Sequence, residues 1–101
     1  PRLQKDLGNA NFLMLRNHGL ATCGPSVADA FLAMYNFENT CRIQIDALAG
    51  QRGMDTLIPV PQAIVDGTAE SMRVQTGGMG GRFVWPTLLR LLDRRDASWR
   101  D

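Results

Sequence analysis

His18 is the single histidine of a 101-residue chain. It stands between Asn17 and Gly19, where the apolar run of "FLMLRNHGLATCG", Phe12 to Gly24, breaks off. A neutral imidazole at a strand end is well suited to hold zinc, because the sheet fixes the side chain while the strand end opens to solvent. Gly19 lets the backbone turn sharply there and leaves the space beside the ring empty. The same pattern also reads as a turn histidine whose ring bonds to nearby backbone. The residues alone leave both readings open.

A catalytic zinc needs three protein ligands and one open position. The other candidates, Cys23, Cys41 and scattered carboxylates, show no metal-ligand spacing. Cys23 lies one short strand beyond His18. Cys41 falls on the apolar face of a long helix, where a thiol serves as a small core residue. His18 alone cannot hold a catalytic metal. "GGMGG", Gly77 to Gly81, lacks the Lys and Ser or Thr of a phosphate-binding loop. "ATCGPS" has no histidine placed to activate Cys23 or Ser26, and it reads as a strand end followed by a helix cap. No catalytic residue is assigned.

The elements that must position these residues follow from local pattern. Arg2 to Leu7 ends a helix at Gly8. Phe12 to Leu15 are four consecutive apolar residues, the mark of a strand covered on both faces. Leu20 to Cys23 form a second strand which, after so short a corner, pairs antiparallel with the first. Ser26 followed by Asp29 resembles a capping box. The helix opened there places Val27, Ala30, Phe31, Met34, Cys41, Ile45 and Leu48 on one face, and Gly50 stops it. "QRGMDTLIPVP" is a connector, and Pro61 to Val74 form a third helix that buries Ile64, Val65 and Met72. "GGMGG" is expected to be a flexible hinge. A last helix starts at Trp85-Pro86 with Pro86 in its first turn. Trp85 and Trp99 serve as packing anchors or subunit contacts.

Two strands are too few to cover Phe12 to Leu15 on both faces. The sheet neighbours are expected outside this sequence, which leaves an unpaired edge prone to association. A start at Pro1 rather than Met fits the same expectation of half a domain.

The composition is that of a globular chain of one domain, 45% hydrophobic and 21% charged. Net charge is +1, and Arg90, Arg94 and Arg95 alternate with Asp93 and Asp96 as a solvated helix face. Without a basic stripe, nucleic acid is not an expected partner. Without an apolar run long enough for a bilayer or a signal-peptide pattern, neither is a membrane. The two thiols are expected reduced, in a cytoplasmic protein.

From Leu15 to Gly50, "LRNHGLATCGPSVADAFLAMYNFENTCRIQIDALAG" resembles the class II aldolase and adducin family, through the Asn-His-Gly corner, the Gly-x-Ser helix start and Cys-x-Ile-Gln. The tail "FVWPTLLRLLDRRDASWRD" resembles the closing segment of its bacterial members. The resemblance implies an α/β fold, part of a three-layer α/β/α domain around a mostly antiparallel sheet. Residues 1–101 would be the C-terminal portion of that domain. It also implies a homotetramer, a small-molecule substrate such as a sugar phosphate or hydroxy-carbonyl compound, and a divalent metal, usually zinc (Zn2+), held by three histidines. His18 matches the third of these. The His-x-His pair and the catalytic Glu of the family have no counterpart here. In such enzymes the metal acts as a Lewis acid on the enediolate left by carbon–carbon cleavage while the Glu moves the proton. The resemblance equally implies an alternative, a non-catalytic adducin-like assembly domain, because such members keep the corner.

Overall fold

The computed structural model describes residues 2–50 and 57–100. Helix α1 (Arg2–Leu7) leads into strands β1 (Phe12–Leu15) and β2 (Gly19–Thr22), then the long helix α2 (Val27–Ala49). Helices α3 (Gln62–Thr76) and α4 (Gly81–Arg95) follow, and a 3-10 turn (Ala97–Arg100) closes the chain. The described residues are thus mostly helical around one small antiparallel sheet. In that sheet Phe12 pairs with Thr22, Leu13 with Ala21, Met14 with Leu20 and Leu15 with Gly19. The first residues of the expected connector, 51–56, lie outside the described residues, while 57–61 are non-helical up to Gln62. No described helix is long and apolar enough to cross a membrane.

Alternation along β1 sends side chains to opposite faces. Leu13 and Leu15 meet Leu3 and Leu7 of α1 around an apolar groove of about 270 Å³. On the other face Phe12 meets Phe37 of α2 edge to face, with ring centroids 5.3 Å apart. Thr22 hydroxyl donates to the Ala30 carbonyl at 2.9 Å, fastening the far end of the hairpin to the first turn of α2.

That turn is the junction of the molecule. Ser26 caps α2, its hydroxyl accepting from Asp29 N–H at 3.1 Å, as the Ser-x-x-Asp spacing predicts. The Asp29 carboxylate in turn accepts from Ser26 Oγ at 2.6 Å and from Gly81 N–H at 3.0 Å. Gly81, the first residue of α4, is buried against the α2 backbone: a Cβ there would lie 2.5 Å from Asp29 N and 2.6 Å from the Ala28 carbonyl oxygen. Phe31 and Trp85 continue the α2–α4 contact edge to face, with centroids 5.4 Å apart.

The contact corrects two expectations. "GGMGG" is a packed junction in which Gly80 and Gly81 are buried, not a free hinge. The last helix starts at Gly81, so Pro86 lies inside it and not in its first turn. Proline there removes one backbone hydrogen bond. A carboxylate supplied from α2 caps the earlier start and offsets that loss.

The apolar faces differ as well. Among the described hydrophobic residues, Ala33 alone is buried. Phe31, Val27 and Ile45, read as core, are exposed, the last two at 74% and 65%. On α2, Ala33 is buried, Phe37 packs on Phe12, and Phe31, though exposed, keeps its edge contact with Trp85. Ile64, Val65 and Met72 of α3 are exposed, and α3 buries no residue. Phe12 and Met14 are exposed where a strand covered on both faces was expected. The accessible surface is 8613 Å². A compact 11.2 kDa monomer exposes about 5,700 Å². The radius of gyration, 16.8 Å, likewise exceeds the roughly 13 Å of a compact chain this long.

Two outcomes follow from these contacts. Gly81→Ala forces a methyl group into backbone that cannot yield, and should destabilise the chain by about 1–3 kcal/mol in urea unfolding, while Gly67→Ala, in open space on α3, should not. The second concerns Asp93. It accepts from Arg100 Nε at 2.9 Å, from the second Arg100 nitrogen at 2.6 Å and from Trp99 Nε1 at 3.1 Å. The hydrogen-bonded Arg100 guanidinium holds the Asp93 carboxyl below its ordinary 3.8, with the Trp99 bond adding to the effect. A group lowered on folding contributes above its unfolded value and loses that contribution as pH falls through the folded one. Trp99 fluorescence should therefore stay constant down to about pH 4 and change only below it, whereas Asp93→Asn should show the changed signal at neutral pH.

Candidate functional site

The Asn17-His18-Gly19 corner is built by backbone geometry. Leu15 pairs with Gly19, leaving Arg16, Asn17 and His18 to make the connection. His18 N–H donates to the Leu15 carbonyl at 3.3 Å, closing a β-turn. Asn17, third in that turn, has φ +62°, which asparagine accepts more readily than most side chains. Gly19 follows at φ +103°. A Cβ on Gly19 would meet nothing within 4 Å, so conformation and not crowding beside the ring calls for glycine.

His18 Nδ1 lies 3.2 Å from the Arg16 carbonyl oxygen. A carbonyl only accepts, so Nδ1 carries the hydrogen, and in the neutral ring Nε2 keeps its lone pair. This is how metal-binding histidines are oriented, one nitrogen held by an acceptor and the other left to bind. The ring borders an open groove of about 460 Å³ with Arg2, Asp6 and Arg16 on its rim and Leu13 and Leu15 among its apolar walls. Arg2 and Asp6 approach each other to 3.8 Å across α1.

The other sequence candidates are not gathered there. Cys23 follows Thr22 at the opposite end of the hairpin, about 13 Å along the strand from the corner, and lines the apolar α1 groove. Cys41 sits half-buried on α2; both thiols are free. Among the described residues no three His, Cys, Asp or Glu side chains come together as a metal site. His18 therefore fits one coordination position, and this chain's described residues complete no metal site around it. Sequence reasoning saw Asp29 as a cap partner but missed its bond to Gly81, 52 residues away, for which no local signal exists.

The model of the Class II Aldolase and Adducin N-terminal domain matches residues 1–45. An aldolase class 2-type protein of Pseudomonas aeruginosa is 47% identical over 98% of this chain, which spans 38% of that relative. Gamma-adducin of Rattus norvegicus is 32% identical over 90% of the chain, which spans 14% of it. The crystal structure of an aldolase II superfamily protein from Pseudomonas syringae superimposes with a TM-score of 0.84 at 35% identity, over 99% of this chain and 39% of that one. The chain thus spans well under half the length of the relatives it matches. It belongs to the class II aldolase and adducin family.

Proposed function

We propose that residues 1–101 are the C-terminal portion of a three-layer α/β/α domain in a metal-dependent lyase or epimerase. Its substrate would be a small sugar phosphate or hydroxy-carbonyl compound. The observation that carries this reading is the His18 ring, held through Nδ1 with Nε2 left to bind at the rim of an open groove. The 47% identity to the P. aeruginosa aldolase class 2-type protein supports it. The large exposed apolar surface supports a domain completed by further chain, and by other subunits of a homotetramer.

On this reading His18 supplies one nitrogen to a divalent ion, preferably zinc, and the remaining ligands and the proton-transferring carboxylate come from outside this sequence. The ion, when bound, supplies Lewis-acid polarisation of the substrate oxygens. The chain's own part is orientation. The Arg16 carbonyl fixes the tautomer of His18, and the Asn17 and Gly19 backbone fixes the direction of the ring at the edge of the groove. An adducin-like assembly role is the second reading, favoured by the gamma-adducin match over 90% of the chain.

His18→Ala in the full-length parent separates the two. In the lyase, bound metal should be lost and turnover of hydroxy-carbonyl substrates should fall by about a thousandfold or more, with thermal melting unchanged. In the assembly protein, metal content and oligomer size should not respond. The 101-residue chain by itself should bind zinc at roughly micromolar strength or weaker by calorimetry, because a single histidine provides a small share of a three-ligand site. Tight one-to-one binding lost in His18→Ala would reveal further ligands in this chain.

A further inference from the structure

We draw no further inference here: the strongest candidate, the positive rim that Arg2 and Arg16 give the open groove beside His18, belongs to the site already described, and nothing in the structure shows what covers it.

Discussion

The close approach of α4 to the first turn of α2 is the constraint on which the rest of this structure depends. One carboxylate, Asp29, accepts from the cap of its own helix and from the first N–H of another. The backbone contact it closes has room for hydrogen alone at Gly81. Within the same turn the Ala30 carbonyl receives the Thr22 hydroxyl, so the hairpin, α2 and α4 are referred to one another through five residues, Ser26 to Ala30. Among the described residues those that are buried, Ala33, Gly80 and Gly81, are small. Such a seam lets backbones approach closely but removes little apolar area from water, so its hold comes from geometry and hydrogen bonds more than from side-chain burial.

A seam of small residues explains which parts of the fold were legible in the sequence. The hairpin, both ends of α2 and the stop at Gly8 are written in neighbouring residues, and the structure has them within a residue or two. The start of α4 is not, because the group that caps it is 52 residues away and Pro86 offers a locally plausible start of its own. The apolar stripes of α2 and α3 were legible as faces, yet periodicity reports that a face is apolar and not what covers it. Val27, Ile45 and Ile64 therefore read as core and stand exposed.

The corner around His18 was legible for the opposite reason. Its form rests on residues within three positions of the ring: the Leu15 carbonyl that closes the turn, Asn17 and Gly19 at positive φ, and the Arg16 carbonyl that holds Nδ1. Five consecutive residues, Leu15 to Gly19, therefore encode the orientation of the imidazole. What surrounds the free nitrogen is a matter of long-range assembly, and five residues cannot encode it.

That locality bears on how one family can include aldolase-type proteins and adducins. Since the backbone holds the ring without help from a metal, the form of the corner does not by itself say which kind of member carries it. The two ends of the hairpin are also independent. Thr22, paired with Phe12, is fastened to α2, whereas the Leu15–Gly19 pair at the other end carries the corner into the open groove about 10 Å away. The anchored end sets where the corner lies relative to the helices, and the turn residues set where the ring points. Chemistry at the corner is thus free to appear or vanish by exchange of side chains without loosening the junction at Asp29.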